Sequence, residues 1–237
     1  MLENCGQGYT MEKLISMCIA DKGRTHYLKA VMPMILKSIN ASPPVELVIV
    51  NYDSPDDLDE YVKTIPEQLV PGNKLNYTKL ENKPYFHMAH ARNITIKQST
   101  GDYLLVSGTE LYPKEMFLPY VREAINNGAL YLNYGDIGAF MVIERNLILE
   151  LGGYDERFEF YGPEDKDFCS RVLRKGIKRY DYPQSLVYSL GQTFTEKYEH
   201  YRERSINKMK QEMRAIYEEN NANGVIAVNE GIEWGAL

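Results

Sequence analysis

The chain has 237 residues and a net charge of −6, from 27 basic and 33 acidic side chains. Hydrophobic residues make up 44% and charged residues 25%, the balance of a globular protein that buries a core without disulfides or metals. The acidic excess argues against nucleic acid as main partner, since a phosphate backbone is held by clustered Lys and Arg.

The first element, Leu14 to Ala20, is a short apolar run that reads as a buried strand. His26 to Ile39 has helical spacing, with Pro33 as a start or kink, and Pro43-Pro44 ends it. Val45 to Val50 is a second apolar strand, which completes a βαβ unit. A helix over Leu58 to Leu69, a strand over Leu75 to Leu80 and a helix over Ala89 to Gln98 follow. Tyr103 to Val106 reads as a strand and Pro113 to Asn126 as a helix. Beyond these come a strand over Gly138 to Ile143 and helices over Arg145 to Leu151 and Glu164 to Lys175. The longest helix covers Glu196 to Glu219, with Tyr198, Tyr201, Ile206, Met209, Met213 and Ile216 on one stripe. The alternation predicts an α/β domain with a mostly parallel central sheet flanked by helices, and a C-terminal helical extension.

No apolar run approaches the roughly 20 residues that span a bilayer. The polar first ten residues lack the basic start of a signal peptide and read as a disordered leader. Cys5, Cys18 and Cys169 form no CxxC pair, which suits reduced thiols in the cytoplasm.

An open α/β sheet binds ligands beyond the carboxyl ends of its strands. After the first strand come Asp21-Lys22-Gly23-Arg24, and after the second Asn51-Tyr52-Asp53-Ser54. Carboxylates and amides there can accept from a base N–H, and Arg24 can meet a phosphate; the same residues also suit plain turns. His87 and His90, three apart, read as helix-entry residues, with a contact to a diphosphate as the alternative. No Lys-Ser/Thr phosphate loop, nucleophile-elbow Ser or GxGxxG is present.

Two blocks carry more. Ala91 to Pro113 reads ARNITIKQSTGDYLLVSGTELYP, and Leu151 to Gly176 reads LGGYDERFEFYGPEDKDFCSRVLRKG. Together they resemble the GT-A glycosyltransferases, in particular the large inverting nucleotide-sugar family, with a galactosyltransferase-like C-terminal segment. The resemblance covers about Leu14 to Gln192. It implies a Rossmann-like GT-A catalytic domain over residues 11–195, with a nucleotide-sugar-binding half (11–113) and an acceptor half (114–195), followed by a helix and tail (196–237).

By the same resemblance, Ala20, Arg24, Asn51, Asp53, Arg92, Asn93, Thr109 and Glu110 would contact a nucleotide-diphosphate sugar donor. Tyr161 and Glu164 would bind the acceptor, and Asp165 would take the proton from its attacking hydroxyl. The family's Asp-X-Asp metal motif reads Gly108-Thr109-Glu110, so either Glu110 alone is left to hold Mn or Mg, or transfer proceeds without a metal. No histidine stands in Val187 to Gln192, where members often place a further metal ligand. The implied activity is hexose transfer to a hydroxyl-bearing glycan or glycoconjugate, with inversion expected and retention left open. A silent GT-A domain that binds a nucleotide sugar or a partner fits the same residues. So does a transferase acting on modified nucleic-acid bases.

Overall fold

The computed structural model describes residues 12–134 and 137–237; the expected leader over 1–10 lies outside the described residues. Near-continuous apolar runs build the centre of the sheet: β1 (Ile15–Asp21) and β2 (Val45–Tyr52) are buried along almost their whole length. Between them α1 (Thr25–Asn40) runs unbroken through Pro33. Pro33 faces solvent, where water can meet the carbonyl that its missing N–H leaves free. The helix expected over Leu58 to Leu69 is shorter: α2 covers only Leu58–Val62, followed by a 3₁₀ turn at Pro66–Gln68. The ring of Pro66 would clash with the carbonyl of Val62, four residues back.

β3 (Lys74–Leu80), α3 (Met88–Gln98) and β4 (Tyr103–Ser107) follow as expected. Residues Leu111–Pro113 then form a short strand, β5, and α4 starts only at Phe117 (Phe117–Asn126). β6 (Tyr131–Tyr134) and β7 (Ile137–Glu144) form a hairpin pair. α5 (Arg145–Glu150), α6 (Glu164–Arg174), β8 (Tyr180–Asp181), β9 (Val187–Ser189), α7 (Phe194–Tyr198) and α8 (Ile206–Ala222) complete the chain.

The main sheet has the order β3-β2-β1-β4-β7-β6-β8. β1 to β4 pair in parallel, β7 runs antiparallel to both neighbours, and β8 is parallel to β6. β5 and β9 pair apart from it as an antiparallel ribbon. Cys18, Val48, Val50 and Val106 face one layer of helices with Ile94, Phe168 and Met209. Met17, Ile19, Ile49 and Leu105 face the other, with Leu28 and Phe117. Both faces are covered, as period-two strands between two helical layers require.

The chain adds β2 and β3 on one side of β1, then crosses to β4 on the other. The crevice of such a sheet opens at that reversal, at the carboxyl ends. The opposite rim is locked by polar contacts. Asp102 accepts from the Leu14 N–H at 2.9 Å, and buried Glu46 accepts from Ser16 Oγ at 2.5 Å and the Thr100 N–H at 2.7 Å. The Thr-Gly-Asp-Tyr turn of the sequence block is therefore a brace at the amino ends of the strands.

The single helix expected over Glu196 to Glu219 is two helices. Ser205 caps α8 by accepting the Lys208 N–H at 3.3 Å, and the His200 carbonyl accepts from the Phe86 N–H at 2.8 Å. The stripe is still core: Tyr198, Tyr201, Met209 and Met213 are buried. The expected division at 195 falls inside α7. The tail packs back on the Gly-Gly turn, where Gly152 sits at φ +75 and a Cβ would lie 2.1 Å from the Val228 carbonyl oxygen. Among the described residues no helix is long and apolar enough to cross a membrane.

Candidate active site

The end of β1 feeds a tight turn. Asp21 is buried and accepts from the Arg24 N–H at 3.1 Å and Thr25 Oγ1 at 3.2 Å. Burial and then the nearby charge of Asp56 push its carboxyl up to about 7. Gly23 at φ +69 lets His200 close over the turn, since a Cβ there would lie 2.0 Å from His200 Nε2. Lys22 Nζ donates to the carbonyls of Tyr52 (3.2 Å), Asp53 (2.6 Å) and Lys83 (2.7 Å), tying the loops after β1, β2 and β3 together.

Arg24 Nη2 donates to the carbonyls of Glu196 (3.3 Å) and Lys197 (3.1 Å) in α7. Its Nε–H is buried without a partner. A buried donor left unmet is costly, and Arg24 lines the cleft at the β1 and β4 ends.

Ala20, Arg24, Arg92, Thr109, Glu110, Tyr161, Glu164 and Asp165 all line that one cleft. Residues from four separate segments thus converge at the carboxyl rim. Three of the expected donor residues stand elsewhere. Asn51 is spent on its own turn: it donates to Asp59 Oδ1 (2.9 Å) and Tyr77 Oη (3.0 Å) and accepts from the Ser54 N–H (2.7 Å). Asp53 accepts from the Lys83 N–H at 2.9 Å. Asn93 is fully buried and staples α3 to the Gly-Gly turn, donating to the Tyr154 carbonyl (2.8 Å) and accepting from its N–H (2.8 Å). These are structural bonds, and none of the three lines the cleft.

Phe86, Met88, Gln192 and Lys197 line the cleft as well, and none was expected as a site residue. Phe86 and Met88 follow β3, so the carboxyl-end rule reached their segment. Both are apolar, whereas the turns that read as ligand contacts are the polar ones after β1 and β2. Lys197 was hidden in the helix expected from Glu196 onward.

α6 delivers the acidic pair. Its first turn carries Glu164, Asp165 and Asp167. Arg92 Nη1 lies 2.6 Å from Asp165 Oδ1 and 3.5 Å from Glu164 Oε1, and its guanidinium stacks 5.0 Å from the Tyr154 ring centre. Asp165 keeps 21% of its side chain exposed, whereas Glu164 keeps 3%. Burial, and then the charge of Asp165, push Glu164 up to about 8 against the pull of Arg92. Glu164 Oε2 also accepts from the Gly162 N–H at 3.1 Å, fixing the entry to the helix.

This protonation has a measurable consequence. An acid raised on folding holds a proton that the unfolded chain has lost, so its contribution is complete below the ordinary value of 4.5 and disappears as pH rises through about 8. Melting curves of Glu164→Gln should therefore fall less between pH 5 and 8 than those of the unaltered protein (Asp21 contributes alike to both). Parallel curves would mean that Glu164 is ionised throughout.

The Gly108-Thr109-Glu110 stretch is sterically tight. A Cβ at Gly108 would lie 2.9 Å from Glu110 Oε2, so the longer Glu110 folds back into the space of a side chain at 108. Glu110 brings one carboxylate, and Gln192 lines the same cleft with an amide. Among the described residues no group of three His, Cys, Asp or Glu is arranged to hold a metal ion. This donor set does not fit a built metal centre.

Comparison with known proteins agrees with this architecture. A family model described as the N-terminal domain of galactosyltransferase matches residues 121–203, the stretch that carries Glu164 and Asp165. A search of curated proteins by sequence gave no significant match. Among solved structures, the mannosyltransferase PcManGT from Pyrobaculum calidifontis, in complex with GDP-Man and Mn2+, is similar at TM-score 0.64 and 14% identity. The match covers 78% of this chain and 59% of that one. S. aureus TarS 1-349 in complex with UDP-GlcNAc is similar at TM-score 0.64 and 14% identity, covering 78% of this chain and 60% of that one. S. aureus TarS 1-349 without a named ligand gives TM-score 0.61 and 14% identity, with 74% and 59% covered. The chain thus spans about three fifths of the length of these structures, and its fold is the GT-A glycosyltransferase fold.

Proposed function

We propose that this protein is a glycosyltransferase that moves a hexose from a nucleotide-diphosphate sugar to a hydroxyl acceptor, with inversion, using Asp165 as general base. The observation that carries the reading is the meeting of Asp165, oriented by Arg92 at 2.6 Å, with the unmet Arg24 donor in one cleft at the β1 and β4 ends. The partial match to the galactosyltransferase model supports it, as do the nucleotide sugars bound by the similar structures.

In the proposed reaction the acceptor oxygen attacks the anomeric carbon from the side opposite the diphosphate. As that C–O bond forms, the bond to the diphosphate breaks and the leaving oxygen keeps the electron pair. The acceptor proton passes to the Asp165 carboxylate, whose Oδ1 is held by Arg92 while Oδ2 faces the hydroxyl. Such help from a positioned base is worth about 10²–10⁴-fold. Charge gathering on the diphosphate would be offset by Arg24 and Lys197, preorganised donors at the cleft wall. Glu110, Thr109 and Ala20 would line the donor side, and Tyr161 with Glu164 the acceptor side. We place the protein in the cytoplasm, a reducing setting that suits the buried cysteines Cys18 and Cys169.

A thermal-shift screen of UDP- and GDP-sugars, each with manganese and with EDTA, tests this. A donor at about 100 times its Kd should add about 2.7 kcal/mol of stability. With cations rather than a metal centre at the phosphates, most of the shift should persist in EDTA. Absence of any shift across the screen would remove the reading. A stabilising donor that is never hydrolysed to nucleoside diphosphate would make this a silent binding domain.

A further inference from the structure

A second groove opens beside the acidic pair, between the start of α6 and the outer face of α8. Tyr161, Pro163, Lys166, Lys210, Arg214 and Tyr217 line it. Tyr161 belongs to both spaces, so it forms the wall between the cleft and this groove. On the cleft side Lys197 stands 4.3 Å from the Tyr161 ring centre, and Tyr198 meets that ring edge-on at 5.3 Å. The ring is thereby held upright between the two.

The groove is positive on a protein whose net charge is −6. Arg214 shares its charge with Glu218 at 2.7 Å, whereas Lys166 and Lys210 are exposed and make no ion pair among the described residues. Lys166 directly follows Asp165, and successive side chains leave a helix about 100° apart. A carboxylate facing the cleft and an ammonium facing the groove therefore share one turn of α6. Two tyrosine rings with cations between them suit a saccharide that carries a negative group: rings cover the sugar faces, and ammonium groups meet the anion.

We infer that this groove binds the acceptor, and that the acceptor is a saccharide carrying an anionic substituent (phosphate, sulfate or carboxylate) beside the hydroxyl presented to Asp165. The assignment rests on the glycosyl-transfer reading of the cleft. It also answers a problem that the acidic pair creates. An anionic acceptor approaching Asp165 would be repelled, and Lys166 and Lys210 offset that repulsion while fixing which end of the saccharide enters. Three cations, one already shared, make too short a track for a nucleic-acid backbone, whose binding draws on many phosphate contacts.

The test is a binding array with the 237-residue protein preloaded with UDP or with GDP. It carries matched oligosaccharides that differ only in a phosphate, sulfate, uronate or neutral hydroxyl, beside a single-stranded oligonucleotide. Binding should be confined to the anionic saccharides, weaken with added salt, and fall about tenfold in the Lys166→Gln/Lys210→Gln variant. The thermal shift given by UDP should be the same in both proteins. The member bound best reports which anionic group is used. Best binding of a neutral saccharide or of the oligonucleotide, equal binding by the variant, or no binding of any anionic saccharide would overturn the assignment. If neither UDP nor GDP gives a thermal shift while charge-dependent saccharide binding is lost in the variant, the donor reading fails and the groove stands. If the shift is present without any anionic preference, only the groove assignment fails.

Discussion

Asp165→Asn should lower sugar transfer by about 10²–10⁴-fold, the usual worth of a positioned general base, while the melting temperature and the shift given by the donor stay near those of the unaltered protein. An amide has nearly the shape of the carboxylate, and its oxygen can still accept from Arg92, so the geometry at 2.6 Å has little reason to collapse. What is lost is the capacity to take a proton. The contrast with Glu164 sharpens the assignment. Glu164 is buried and raised, so at neutral pH it already holds a proton and is a poor base. Asp165 is more exposed, carries the Arg92 contact and is open to the cleft. Single-turnover assays with a defined donor would decide the matter. Transfer by Asp165→Asn within a few-fold of the unaltered rate would end the proposed role of Asp165.

Arg171→Met should cost roughly 3–5 kcal/mol of folding stability, because it strands a buried carboxylate. Arg171 is fully buried; its Nε donates to Asp167 Oδ2 at 2.7 Å, Nη1 to the Leu151 carbonyl at 2.9 Å and Nη2 to the Gly153 carbonyl at 2.8 Å. Asn220 from α8 donates to Asp167 Oδ1 at 2.9 Å and to Asp155 Oδ2 at 3.0 Å. One polar cluster thus joins α6, the Gly-Gly turn and α8. For a chain of this size the loss corresponds to a melting-temperature drop on the order of 10 °C. The double change Asp167→Leu/Arg171→Met removes both charges and should recover much of it. Urea unfolding of the single and double variants measures the difference. A loss below about 1 kcal/mol in Arg171→Met would show that the pair does not hold these elements together.

These two predictions divide one sequence motif. Asp155, Asp167 and Arg171 stood in the same acidic block as Glu164 and Asp165, in an order that resembled an acceptor site. In the fold, Asp165 faces the cleft while Asp167, two residues on, points into the core. A helix turns about 200° between them, so adjacent acids in the sequence serve opposite sides. The other block divides likewise: Arg92 reaches the cleft, Asn93 beside it holds the Gly-Gly turn, and Gly101-Asp102 brace the far end of the strands.

Sequence by itself determined the elements that have strong periodicity or firm stops. The apolar runs of β1, β2 and β4 and the helix over α3 lie where their patterns put them, and with them the α/β class and the carboxyl-rim position of the cleft. Tertiary structure alone decided what depends on contacts distant in the chain. The short strands β5, β8 and β9 exist only through their partners. The break between α7 and α8 follows from the burial of Tyr201 and the bond from Phe86 to His200. Whether a polar side chain serves the cleft or the scaffold turned on which donors lay within reach after folding, as Asn51, Asp53 and Asn93 demonstrate. Residue type and spacing encode local geometry, whereas hydrogen-bond partners tens of residues away are set by how the layers pack.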